Sequence, residues 1–268
     1  MDLMTIRASA LADLFDCQSR FYWRNIVGLR MPSSGAAQLG TALHRSTAVF
    51  DQGRLDGAGV TADDAAGEFV TALHNPETEV VWDADNPIKQ AEKIGLVLHT
   101  KYCAEMAPTQ QYKAVELTCE ALDVETSAGT IRLTGTTDRV RITPNGLAIA
   151  DLKSGARAVG ADGRAVTSGH HLQVGVYTLL AEFALGEQLN GTPAIIGLQT
   201  TPAGRVGIGE LNDVRTPLIG NEEQPGLIEI AAAVLKSGMF APNVRSILCS
   251  QKFCPAHRGN GGPCSYHS

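Results

Sequence analysis

No apolar run in these 268 residues approaches the ~18 needed for a membrane-spanning helix. The opening residues, MDLMTIRASALADLFD, lack a basic start followed by an apolar stretch and carry Asp2, Asp13 and Asp16 instead. A signal peptide is therefore not expected, and the expected compartment is the cytoplasm, with no membrane partner. Internal repeats, coiled-coil heptads and a G-x4-GK[ST] loop are missing too, so this chain has no motor of its own. A surplus of basic residues is also lacking: 22 Lys plus Arg face 28 Asp plus Glu, for a formal charge of -6. That balance argues mildly against a nucleic-acid binder, which is usually basic. The distribution matters more. Residues 51–130 carry 15 acids against 5 basic side chains, while the segments before and after are slightly basic. A locally basic groove is compatible with an acidic whole.

What is present is enough for a core. The chain is 44% hydrophobic and fits one large domain. Its six cysteines are unevenly placed, which suits metal ligation better than a disulfide scaffold in a chain of this length. Ser9 is a plausible cap for a short helix bearing Leu11, Leu14 and Phe15, with Cys17 near its end. Apolar spacing predicts helices over 37–53, 61–74 and 87–106, with 75–87 as a linker and 31–35 as a loop. Alternation then predicts strands over 114–126, 130–142 and 146–154. A Gly- and Ala-rich loop covers 154–169, and Ser168 is placed to cap a helix running to Leu185. A hairpin is expected over 194–200 and 205–211, and a helix over 221–238. The order indicates an α+β or mixed α/β fold around a small central sheet.

The segment TGTTDRVRITPNGLAIADLKSG is the most informative. A hairpin centred on Pro144–Asn145 sets Asp138 directly opposite Asp151, with Cβ atoms ~5 Å apart. Like charges so placed destabilise a sheet unless something positive lies between them. Lys153, two residues after Asp151, shares its face. The arrangement describes a divalent-cation site beside a lysine, or a solvated strand face with a chance ion pair. His44 lies in GTALHRS on a predicted helix. Gln173 and Tyr177 are four apart and share a helix face, either at a site or as a polar edge beside Leu172, Val176 and Leu180. Glu116 stands on the preceding strand. The tail reads CSQKFCPAHRGNGGPC; with Cys17, its Cys249, Cys254 and Cys264 make four thiols that suit an iron–sulfur cluster, structural zinc, or loose cysteines on a tail. Cys103 and Cys119 read as buried small apolar residues.

In order, an early cysteine, GTALH, a Glu-bearing strand, GTTDRV, IADLKSG, QxxxY and a late cysteine cluster resemble RecB-type nucleases of the PD-(D/E)XK superfamily. The likeness is closest to the iron–sulfur branch, which includes CRISPR-adaptation nucleases and phage recombination exonucleases. It covers Ser9 to Cys264 and is weakest over 51–113. The resemblance implies a single PD-(D/E)XK domain over 1–268, with an acidic helical subregion at 51–110 and the tail 241–268 packed on the N-terminal helix. It implies that His44, Asp138, Asp151 and the Leu152 carbonyl hold Mg2+ or Mn2+ and that Lys153 positions the attacking water. Gln173 and Tyr177 brace the site or touch DNA, and Glu116 is an outer-shell or second-metal acid. It further implies a 4Fe–4S cluster on Cys17, Cys249, Cys254 and Cys264. The nine-residue gap before Cys264 departs from the tight spacing of that branch, which keeps zinc, or His257 or His267 as a ligand, open. The expected activity is metal-dependent exonuclease cleavage at DNA ends or single strands, with a recombination or CRISPR-adaptation partner. The alternative is a catalytically weak DNA-end-binding subunit. Arg20, Arg24, Arg30 and Arg45, around Cys17 and His44, are the expected phosphate contacts, with the acidic block 51–130 facing outward.

Overall fold

The computed structural model describes residues 4–84 and 87–266, so His267 lies outside the described residues. The chain opens with strand β1 (Met4–Arg7), helix α1 (Ala8–Asp16) and a short helix α2 (Gln18–Phe21) that runs into a wide turn, Tyr22–Ile26. Next come β2 (Ser33–Ser34), the long α3 (Gly35–Leu55), α4 (Ala62–His74), β3 (Val80–Val81) and α5 (Ile88–Lys101). Ser34 caps α3 by accepting from the Ala37 N–H at 3.2 Å, and Thr61 and Asp64 form a reciprocal capping box on α4. Three strands follow as a meander: β4 (Tyr112–Thr126), β5 (Gly129–Thr143) and β6 (Gly146–Gly155). The remainder is α6 (His171–Leu185), β7 (Ala194–Gln199), β8 (Arg205–Glu210), α7 (Thr216–Ile219), α8 (Leu227–Ser237) and an irregular tail.

The main sheet runs β1-β5-β6-β7-β8, with β4 on the other side of β5. β6 and β7 are parallel, joined by the crossover that contains α6; β4–β5, β5–β6 and β7–β8 are antiparallel. Alternate residues of β6 and β7 feed two cores. Ile149 and Ile195 join Leu11, Leu14 and Leu180 from α1 and α6. Ala150, Leu152, Ile196 and Leu198 join Leu43, Phe69 and Leu98 from α3, α4 and α5. The sheet is therefore covered by helices on both faces, a mixed α/β architecture.

Several elements differ from expectation. Met4–Arg7 is a strand parallel to β5, too short to show a period, and α1 starts at Ala8 with Arg7 rather than Ser9 as its cap residue. The linker and loop around 31–35 and 75–87 contribute a two-residue parallel pair, Ser33–Ser34 with Val80–Val81. The third predicted helix stops at Lys101 and widens into the turn Tyr102–Met106. Ser168 makes no cap, since α6 begins at His171 without one. The helix expected over 221–238 starts only at Leu227, because Pro225 and Gly226 cannot continue a helix, and the preceding turn α7 was not foreseen.

Candidate active site

The β5–β6 ladder runs from Thr143↔Gly146 to Arg139↔Ala150. One further step sets Asp138 opposite Asp151. The Leu152 N–H donates to Asp138 Oδ2 at 2.7 Å, tying the carboxylate to the facing strand. Lys153 Nζ meets Asp151 Oδ2 at 2.6 Å, close but poorly aligned, so that this buried oxygen has no well-formed hydrogen bond. α3 brings His44 in from the helical layer, with Nδ1 3.4 Å from Asp138 Oδ1. The approach depends on Gly40 one turn earlier: a Cβ there would lie 2.6 Å from Ser154 Oγ at the end of β6. Gln173 Nε2 donates to Tyr177 Oη at 3.0 Å on α6.

Electrostatics binds these groups into one unit. Burial, and then the charge of Asp138, push the Asp151 carboxyl up. Burial pushes Asp138 the same way, but the His44 imidazole, the Lys153 ammonium and the Leu152 N–H together offset it and hold the carboxyl low. His44 is in turn raised, the pull of Asp138 outweighing burial. Burial raises Glu116, helped by Asp138, and lifts the Tyr177 hydroxyl to about 12. Glu116 also adopts a left-handed backbone, φ 48°, which a non-glycine residue rarely takes outside a functional or tightly constrained position.

Arg139 and Asp51 were missed by sequence reasoning. Arg139 is 0% exposed, with its Nε 2.8 Å from Asp51 Oδ2 on α3 and Nη1 3.2 Å from Glu116 Oε1. Its Nη1 also donates to the Asp138 carbonyl at 2.7 Å. Alternation along β5 was the available signal, since Arg139 falls on the strand face away from Asp138 where an apolar residue is expected. Asp51, 1% exposed, is the exception in the acidic block 51–130, whose other described acids are exposed or half-buried. Arg20 is a correction: it is 3% exposed and bound to Asp13 and Asp16, leaving no surface for a phosphate. Arg24 pairs with Asp13 and Arg45 with Glu68, while Arg30 donates to main-chain carbonyls of Arg24 and Leu29.

Cys17, Cys249, Cys254 and Cys264 line one cavity beside Arg20. The Asn243 N–H donates to Cys17 Sγ at 3.3 Å, and burial raises Cys249 and Cys254. Cys103 and Cys119 are buried elsewhere, in the two main cores. The tail lies on the N-terminal helices: the Ser19 N–H donates to the Ala241 carbonyl at 3.1 Å, Ser246 Oγ to Asp16 Oδ2 at 2.7 Å, and Phe240 stacks on Tyr22. Among the described residues, no three His, Cys, Asp or Glu side chains form a ready-made metal cluster.

The sequence matches the family model of the PD-(D/E)XK nuclease superfamily over residues 5–258. The chain belongs to that superfamily. Its mixed sheet flanked by helices agrees with the PD-(D/E)XK core, and superfamily members are nucleases that generally use divalent metal ions and bind DNA. A crystal structure of a protein described as a candidate exonuclease, from Eubacterium rectale, superposes with a TM-score of 0.58 at 16% identity, covering 91% of this chain and 86% of that one. A structure of SSO0001 gives a TM-score of 0.42 at 12% identity, covering 94% and 82%. No curated protein matches the sequence. As a PD-(D/E)XK nuclease the chain offers a donor set suited to a hard divalent ion: two carboxylates and an imidazole, with one carboxylate oxygen buried and poorly paired. Among the described residues no helix is long and apolar enough to cross a membrane.

Proposed function

We propose that this PD-(D/E)XK nuclease is a RecB-type exonuclease of the iron–sulfur branch that hydrolyses phosphodiester bonds at DNA ends, in recombination, repair or CRISPR adaptation. One observation carries the hydrolytic part: His44, Asp138, Asp151 and Lys153 come from two strands and a helix to one half-buried, mutually polarised group. Lys153 and His44 offset part of the repulsion between the two carboxylates, and a divalent cation held between them would offset the rest. His44, Asp138, Asp151 and the Leu152 carbonyl are the residues for Mg2+ or Mn2+. When bound, the ion draws charge from the phosphoryl oxygens and makes water a better nucleophile near neutral pH. Lys153 orients that water and steadies developing negative charge. Gln173 holds Tyr177, and the Tyr177 hydroxyl stays protonated, a donor to a phosphate or base. Glu116 serves as the outer-shell acid, its carboxylate steered by Arg139.

The four thiols around one cavity, with a main-chain N–H aimed at Cys17 Sγ, support a structural 4Fe–4S cluster; zinc is the competing occupant. End-labelled DNA incubated with Mg2+, Mn2+ or EDTA tests the reading. The protein should release nucleotides with either metal and none with EDTA. Asp151→Asn and Lys153→Ala should each lower the rate at least ~100-fold, and the EDTA-treated Asp151→Asn protein should melt no earlier than the parent. Metal-dependent cleavage retained by Asp151→Asn would overturn the site, and tight binding without cleavage by the parent would favour an end-binding subunit.

A further inference from the structure

Arg20, Arg24, Arg45 and Arg139 are all engaged by carboxylates of the chain. Arg157 and Arg164 differ: both are exposed, and among the described residues neither has a carboxylate partner. They stand on the segment 156–170, which leaves β6 just after Lys153 and ends at the start of α6. That segment is clamped in place. Val159 bridges Ala165, the Gly160 N–H donates to the Arg164 carbonyl at 2.8 Å, and Arg205 Nη2 donates to the Val159 and Gly160 carbonyls at 3.1 and 2.8 Å. Ala165 is buried in the core. β7 and β8 yield to it with glycines: a Cβ on Gly197 would sit 2.4 Å from the Ala158 carbonyl oxygen, and one on Gly209 would sit 2.3 Å from that of Ala165. Asp162, the one acid of the segment, is occupied by the Arg164 N–H at 3.0 Å. The return limb ends at His170, the N-cap residue of α6, the helix that carries Gln173 and Tyr177. Both limbs of the segment therefore meet the site.

We propose that this clamped loop is a phosphate-binding wall of the substrate groove. Arg157 and Arg164 contact backbone phosphates that flank the bond cleaved at Asp138, Asp151 and Lys153. The inference rests on the nuclease reading above. Guanidinium groups fit phosphate oxygens in pairs, and a rigid platform lowers the ordering cost of binding. Arg157 is four residues from Lys153, at most ~14 Å of extended chain, so its phosphate is a few nucleotides from the scissile one.

The test is fluorescence-anisotropy binding of a labelled single-stranded oligonucleotide to the full chain, with Ca2+ in place of Mg2+, across a salt series. The double variant Arg157→Ala/Arg164→Ala should bind about tenfold more weakly, and its log–log salt slope should be shallower by ~1.4, or ~0.7 per lost contact. Arg132→Ala removes an exposed guanidinium already paired with Asp123 and should bind like the parent. Equal affinity and slope in parent and double variant, or an equal loss in Arg132→Ala, would overturn the proposal. A parent that binds the strand but never cleaves with Mg2+ or Mn2+ would overturn the nuclease reading while the loop is still decided by binding. A parent that binds no polynucleotide would overturn both.

Discussion

His99 shows how a single titratable residue fixes the helical layer. It is buried, with Nδ1 3.0 Å from Ser46 Oγ on α3 and Nε2 2.9 Å from the Ala62 carbonyl at the start of α4. A carbonyl only accepts, so Nε2 carries a proton. Burial lowers its pKa below 6.5. The unfolded chain therefore binds a proton at higher pH than the folded one, and stability falls as pH drops below about 6.5 towards the lowered folded value. In urea titrations His99→Gln should be less stable than the parent at pH 8, and the gap should narrow at pH 5.5. A gap that widens would show that the ring is charged in the fold. At this scale the sequence was legible where partners are local. Asp138 and Asp151 are joined by one hairpin, so counting residues pairs them. Arg139 and Asp51 are 88 apart, and no pattern in either segment names the other. Arg20 failed for a related reason: its acids, Asp13 and Asp16, lie seven and four residues back, and a charge count does not reveal that they claim it.

Among elements, α4 and α5 pack so closely that a Cβ on Gly95 would stand 2.0 Å from the Phe69 ring. Gly95→Ala should overpack this contact and lower stability by ~1–3 kcal/mol in chemical denaturation. Adding Phe69→Leu should recover part of the loss, whereas a neutral Gly95→Ala would mean that the helices can part at no cost. Long periodic elements such as α3, α4, β5 and β6 were legible because hydrophobic spacing accumulates over many residues. β1 was not, since its four residues bury only Ile6 and owe their form to β5. The start of α8 was misplaced because the apolar count outweighed Pro225 and Gly226.

On the scale of the whole molecule, Cys17 and the three tail cysteines join segments more than two hundred residues apart. A cluster there closes most of the chain into a loop and restricts the unfolded state, by analogy with a disulfide. Alanine at any one of Cys17, Cys249, Cys254 or Cys264 should bleach the brown colour of anaerobically purified protein and lower the melting temperature by roughly 5–10 °C. Alanine at Cys103 or Cys119 should leave the colour intact. Colourless protein holding one zinc would replace iron with zinc, and an unchanged melting temperature in Cys17→Ala would remove the staple. The layered architecture could be anticipated from the order of helices and strands, but not the parallel partner that β1 adds to β5, because that pairing depends on how the layers close.

The Arg139–Asp51 pair has one more consequence. A greasy interface between helix and sheet tolerates sliding, since one apolar ridge fits several grooves. A planar guanidinium that must meet Asp51 and Thr47 on α3, Glu116 on β4 and the carbonyl of Asp138 fits in one place only. A slip of α3 by one helical turn would carry His44 ~5.4 Å along the sheet and away from Asp138. The buried charge therefore acts as a key in a lock: it selects the single alignment of helix on sheet at which His44 meets Asp138.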